Sequence, residues 1–367
     1  MSVILAAKRT AVVPRGGAFA RLSIEDLGAP VVVALLKAAG IAPGQVDELI
    51  CSNALGAGGN PARRVALAAG LPERVAGLSV DRQCAGGLDA ILLARALVDS
   101  GAAEVVIAGG VESYSRRPLR ARTDPGGGPA VFYDQAAFTP WPSRDPGMAE
   151  AAQALAARLG ISRADQDGWA VESHRKARVS AGEIVGVAGQ ERDAFARGLT
   201  VAVAARAKVV CGSITAANAA VAADAAAFVL VVSDQVAADR SAAGRGMRIL
   251  AGATLGGDPQ EPGLAPVAAI RAVLDRAGVR ADQLAVAEVM EAYAVQAMAC
   301  VTGAGLDVAQ VNPGGGALAR GHPIGASGAV LAVRLFHELR LGLGLAAIAA
   351  AGGIGTALLV KRESDRV

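Results

Sequence analysis

The chain has 367 residues, more than one small core organises, so two packed units are expected. Its 36 basic and 33 acidic side chains leave a net charge of +3, which argues against a broad nucleic-acid-binding face but allows a local basic patch for a phosphorylated ligand. The four cysteines (Cys51, Cys84, Cys211 and Cys300) form no CxxC pair, which argues against a metal or disulfide framework and fits a reducing cytoplasm. No signal peptide pattern and no apolar run of ~20 residues suited to a membrane is found, so the hydrophobicity reads as core.

In chain order, residues 3–7 read as a short apolar strand and residues 9–20 as a loop. Ser23 is a plausible N-cap for a helix over residues 24–39, closed by Gly40. A strand follows over 46–52. Asn60-Pro61-Ala62-Arg63 opens a helix running to Ala69. Residues 75–80 read as a strand entering the stretch Ser79-Val80-Asp81-Arg82-Gln83-Cys84-Ala85-Gly86-Gly87-Leu88-Asp89-Ala90. Leu88, Ile91, Leu92, Ala96 and Leu97 have helical spacing. Cys84 therefore sits at a strand-to-helix bend, where a helix N-terminus is expected to shift a thiol toward thiolate. Taken alone, a buried structural cysteine is an equally good reading. An apolar strand over 103–108 ends in Gly109-Gly110. Strands alternating with helices predict an α/β layer structure with a mainly parallel sheet.

Residues 116–146 are rich in Arg, Pro and Gly and hold Phe132, Tyr133, Phe138 and Trp141. Because aromatics favour burial, this segment reads as an ordered excursion over a site, with a merely packed insertion as the alternative. Helices are expected over 148–159 and from a Ser162 cap to Ala177. Residues 193–210 read as a return toward the core, and 225–232 as a buried strand. From Pro262 the first pattern recurs: a helix over 266–277, a strand over 286–290, a glycine-rich bend holding His322, a helix over 329–339, and a strand over 346–351 closing in Gly352-Gly353. This duplication would bring two equivalent bends, with Cys84 and His322, to one site. An imidazole beside a thiol takes its proton and steadies the thiolate. The other histidines, His174 and His337, lie among charged residues of helices and read as surface groups.

These stretches, in this order, resemble the thiolase superfamily over nearly the whole chain. The resemblance rests on Asn60-Pro61-Ala62-Arg63, Gln83-Cys84-Ala85-Gly86-Gly87-Leu88 and Gly109-Gly110-Val111-Glu112-Ser113. It also rests on Asn312-Pro313-Gly314-Gly315-Gly316 through Gly321-His322-Pro323-Ile324-Gly325-Ala326-Ser327-Gly328, and on Gly352-Gly353-Ile354-Gly355. It implies an α/β fold of two duplicated α-β-α-β-α halves: residues 1–118 with 205–240, and 241–367, with a loop domain over 119–204. It implies coenzyme A thioesters as substrates, no permanently bound cofactor or metal, and a homodimer or homotetramer. Cys84 would be acylated after activation by His322, and the backbone N–H groups of Cys84 and Ala351 would form an oxyanion hole. Met148, Asn218 and Gly353 would contact substrate. The attack of a second, α-deprotonated acyl-CoA would then give a 3-ketoacyl-CoA.

The sequence departs from the family at three points. The second cysteine that moves the α-proton in thiolases falls at Ala349. The Asn-Glu-Ala-Phe motif reads Met290-Glu291-Ala292-Tyr293, losing an oxyanion-hole asparagine. Asn218-Ala219-Ala220-Val221 loses a serine that contacts the pantetheine arm. Glu291 is a candidate replacement base, with a structural role as the stronger reading. Three functions stay open: C–C bond formation or cleavage with a substituted base; acyl transfer without α-proton removal, such as decarboxylative condensation or hydrolysis; and a non-catalytic acyl-CoA-binding subunit.

Overall fold

The computed structural model describes residues 1–239 and 246–363. The first half runs β1 Ser2–Arg9, α1 Ile24–Ala39, β2 Glu48–Ser52, α2 Pro61–Ala68, β3 Leu78–Val80, α3 Gly86–Asp99 and β4 Val105–Glu112. After α4 Met148–Leu159 and α5 Arg163–Lys176 it returns as β5 Ala223–Ser233. The second half runs β6 Met247–Gly256, α6 Ala265–Ala277, β7 Leu284–Val289, α7 Ala294–Ala304, α8 Ser327–Glu338, β8 Gly342–Ala350 and β9 Ile354–Arg362. Helix starts follow local chemistry. Ser23 accepts the Asp26 N–H while the Asp26 carboxylate accepts the Ser23 N–H, and Ser162 with Asp165 repeats the device. The boundary expected at 240/241 lies outside the described residues.

The strands form one path, β7-β8-β9-β6-β1-β5-β4-β2-β3. The order β1-β5-β4-β2 matches β6-β9-β8-β7, so the duplication reaches the topology. The halves meet at β1 and β6 through Val3↔Arg248 and Ile4↔Met247. The expected mainly parallel sheet is corrected. Only β2–β3, β2–β4 and β7–β8 are parallel; the pairs from β4 through β5, β1, β6 and β9 to β8 are antiparallel. The reason is connectivity. The turn after β8 returns the chain directly as β9, and the same return from β4 to β5 carries residues 113–222, which add no strand to the main sheet.

Strand alternation sorts side chains into layers. Val229 and Val231 of β5 face a cluster shared with Leu88 and Ile91 of α3, Leu331 and Leu335 of α8, and Ala346 and Ile348 of β8. Phe228 and Leu230 face the opposite way, against Leu35 of α1 and Val65 of α2. Leu345 and Ala347 face Ile270 of α6 and Val301 of α7. The result is five layers: helices, sheet, the central pair α3 and α8, sheet, helices. Glu288 of β7 is fully buried, neither of its carboxyl oxygens has a hydrogen-bond partner among the described residues, and burial pushes its carboxyl up to about 7. Among the described residues no helix is long and apolar enough to cross a membrane.

Candidate active site

Between β3 and α3 the backbone bends sharply. Gln83 takes φ 52°, a left-handed conformation uncommon for a side-chain-bearing residue. Its N–H donates to Asp81 Oδ1 at 2.8 Å, and its carbonyl accepts the Gly86 N–H at 3.2 Å. The helix starts two residues beyond Cys84, which leaves the thiol at the mouth of the bend. The second bend is held from the other side. The His322 N–H donates to the Val221 carbonyl at 2.7 Å. His322 Nε2 then lies 3.2 Å from Cys84 Sγ, and Nδ1 lies 2.6 Å from Ser327 Oγ. Thus α3 and α8, packed as the central layer, deliver a thiol, an imidazole and a hydroxyl in series.

Burial pushes the Cys84 thiol up to about 12, with Glu112 and Asp81 adding in the same direction. Burial also pushes His322 down to about 4. The resting pair is therefore a neutral thiol beside a neutral imidazole. This corrects the expected shift toward thiolate, because the loss of water outweighs the helix N-terminus. Glu112 ties the two bends together: it accepts from Asn53 Nδ2 at 2.8 Å, from the Ala54 N–H at 3.0 Å and from the Gly325 N–H at 3.0 Å.

A cavity of about 870 Å³ opens above the pair, lined by Cys84, His322, Met148, Tyr293, Ala349 and Ala351 among others. Asn218 and Gly353 do not line it. Asn218 is buried, its Nδ2 donating to Asp167 Oδ1 at 3.0 Å and its Oδ1 accepting the Thr215 N–H at 2.8 Å. Gly353 sits in the β8–β9 turn, its carbonyl accepting the Gly257 N–H at 2.7 Å. Arg120, Asp134 and Phe138 of the aromatic segment line the cavity, so that segment does pass over the site. Its aromatics are less buried than expected: Phe132 and Trp141 are exposed. Glu291 is buried and fully engaged, accepting from Trp169 Nε1, Ser173 Oγ, Asn312 Nδ2 and the Leu318 N–H. It holds the loop before His322 and does not line this cavity. His174 is a further correction: it is buried, its Nδ1 accepting the Arg197 N–H at 3.3 Å. His337 is half-buried, 3.0 Å from the Ala7 carbonyl.

Comparison with known proteins settles the family. Residues 2–235 match the thiolase N-terminal domain and residues 246–362 the thiolase C-terminal domain. The chain belongs to the thiolase family. It is 40% identical to YhfS of Bacillus subtilis, covering 98% of each chain. It is 38% identical to an acetyl-CoA acetyltransferase of Pseudomonas aeruginosa, covering 98% of this chain and 99% of that one. Among solved structures, the Acat5 thiolase from Ascaris suum in complex with coenzyme A superposes with a TM-score of 0.90 at 29% identity, covering 98% and 99% of the two chains.

Within this thiolase fold, Ala349 presents a methyl group to the cavity, and Met290 is buried in the central core without reaching it. Two lining or supporting residues escaped the sequence reading. Ser327, five residues beyond His322, carries a hydroxyl in the same bend, and that spacing was the available signal. Tyr293 stands in the altered Asn-Glu-Ala-Phe stretch, where it was noted only as a departure.

Proposed function

We propose that this protein is a coenzyme A thioester C-acyltransferase, working through an acyl-Cys84 intermediate as a cytoplasmic homodimer or homotetramer. The observation that carries the reading is the 3.2 Å approach of His322 Nε2 to Cys84 Sγ in the lining of a cavity of about 870 Å³. Neutral His322 takes the thiol proton as Sγ attacks the thioester carbonyl; Ser327 holds the ring. The backbone N–H groups of Cys84 and Ala351 receive the developing oxyanion. Met148 packs against the acyl group. Asn218 and Gly353 act on the substrate indirectly, by fixing the 213–215 turn and the Gly257 loop. The coenzyme A complex of the Ascaris thiolase supports coenzyme A thioesters as the ligand class.

A second reading, acyl transfer without α-proton removal, is favoured by the methyl of Ala349 and the burial of Met290. The first experiment is intact mass after incubation with acetyl-CoA and longer acyl-CoAs, wild type beside Cys84→Ala. An acyl adduct present in wild type and absent in the variant is expected. No adduct with any thioester overturns both enzymatic readings and leaves a binding subunit. Release of the adduct only by malonyl-CoA or water, and never by a second acyl-CoA, selects the second reading over the first.

A further inference from the structure

We propose that the Tyr293 hydroxyl is the group that protonates the departing carbon when this enzyme cleaves a 3-ketoacyl-CoA; the proposal rests on the acyl-Cys84 reading above. Three observations lead to it. Tyr293 lines the same cavity as Cys84, His322 and Ala349. Its backbone is pinned on both sides by the 218–220 segment: the Ala220 N–H donates to the Ala292 carbonyl at 2.9 Å and the Ala294 N–H to the Asn218 carbonyl at 2.9 Å. No hydrogen bond from its hydroxyl to another described residue is present, and the residue is half-buried.

The other candidates near the thiol are already occupied. Glu291 is saturated and faces away. Glu112 holds the two bends. Asp81 is exposed and accepts the Gln83 N–H. Tyr293 is close enough to Cys84 for a charge on the sulfur to add to the burial that pushes the phenol up to about 12. A phenol in that range stays protonated at neutral pH, which suits the proton-donor role in cleavage.

The step balances as follows. His322 takes the Cys84 proton as Sγ attacks C3 of the 3-ketoacyl-CoA. The C2–C3 bond breaks, its electron pair staying on C2, and the Tyr293 O–H proton goes to C2. Acetyl-CoA leaves from an acyl-Cys84 enzyme. The thiol of incoming coenzyme A returns a proton to the phenolate as its sulfur attacks the acyl carbon, and His322 returns its proton to Cys84.

The test is Tyr293→Phe, with wild type and Asp81→Asn in parallel. Acylation by acetyl-CoA is read by intact mass, and acetoacetyl-CoA cleavage by coenzyme A is read by absorbance. The expected result is an unchanged yield of acyl-Cys84 in Tyr293→Phe, with cleavage slowed about 10²- to 10⁴-fold. Wild-type cleavage in Tyr293→Phe, loss confined to Asp81→Asn, or a wild type that acylates yet never cleaves each overturns the proposal while leaving the acyl-enzyme reading intact. A wild type that is not acylated overturns both.

Discussion

Gly87 and Gly328 face each other where α3 and α8 cross. A Cβ on Gly87 would lie 2.5 Å from the Ala329 nitrogen, and one on Gly328 would lie 2.5 Å from the Leu88 nitrogen. Neither obstacle is a side chain that can swing aside. The bare backbones set how closely the two helices approach, and hence the separation of Cys84 and His322 just before them. Gly87→Ala is therefore expected to destabilise the fold by about 1–3 kcal/mol and to slow Cys84 acylation. Thermal unfolding and adduct formation check the two effects separately. A variant of normal stability and normal acylation would show that the seam does not set the site.

Ser327 is expected to control how fast the pair works, not whether it exists. Its hydroxyl is the partner of His322 Nδ1. With Ser327→Ala the ring loses a hydrogen bond worth about 1 kcal/mol, and the acylation rate should fall about fivefold. The readout is the rate constant for adduct formation in quenched samples. An unchanged rate would mean that packing alone orients the imidazole.

Ala349 gives a gain-of-function prediction. The residue lies in the cavity wall with the thiol and imidazole, and its methyl moves no proton. Ala349→Cys is expected to raise acetoacetyl-CoA synthesis from acetyl-CoA by about 10²-fold or more, the usual worth of a placed acid/base. The acyl-Cys84 yield should not change. No gain in synthesis would place the block elsewhere, with the substituted Met290 next in line.

Two buried groups pull the pH dependence of stability in opposite directions. Glu288 has a folded value of about 7 against an ordinary 4.5, so its contribution is fully present below 4.5 and is lost as pH rises through 7. His322 has a folded value of about 4 against an ordinary 6.5, so its contribution is present above 6.5 and is lost as pH falls through 4. Glu288→Gln should remove the first effect alone. Unfolding temperatures from pH 5 to 8 should decline less at the alkaline end in the variant than in wild type. Parallel profiles for the two proteins would show that Glu288 does not titrate in this window.

What the sequence made legible was local or repeated. Ser23, Ser162 and Asn60 announced their helices because a capping side chain acts within three residues. Cys84 and His322 stood out because the duplication set their bends in equivalent places. The pairings of β1 with β5 and β6 were not legible, since antiparallel pairing between segments over two hundred residues apart leaves no short-range trace. Helix α7 escaped because Ala294, Val295, Ala297, Ala299, Cys300 and Val301 are apolar nearly all round, so no face is marked. The thiol's protonation state was misread for a related reason: helix position is visible in sequence, whereas the depth of burial is not.

The sheet order has a consequence for assembly during synthesis. Strand β9 follows every other strand in sequence, yet it lies between β6 and β8. Until it emerges, those two strands have no common neighbour, and the central pair α3 and α8 lacks the middle strand of the second sheet that covers it. The first half can form its own ladder early, but it carries an uncovered apolar helix while the rest is being made. A nascent chain paused before residue 354 is therefore the form most exposed to aggregation and most in need of a chaperone.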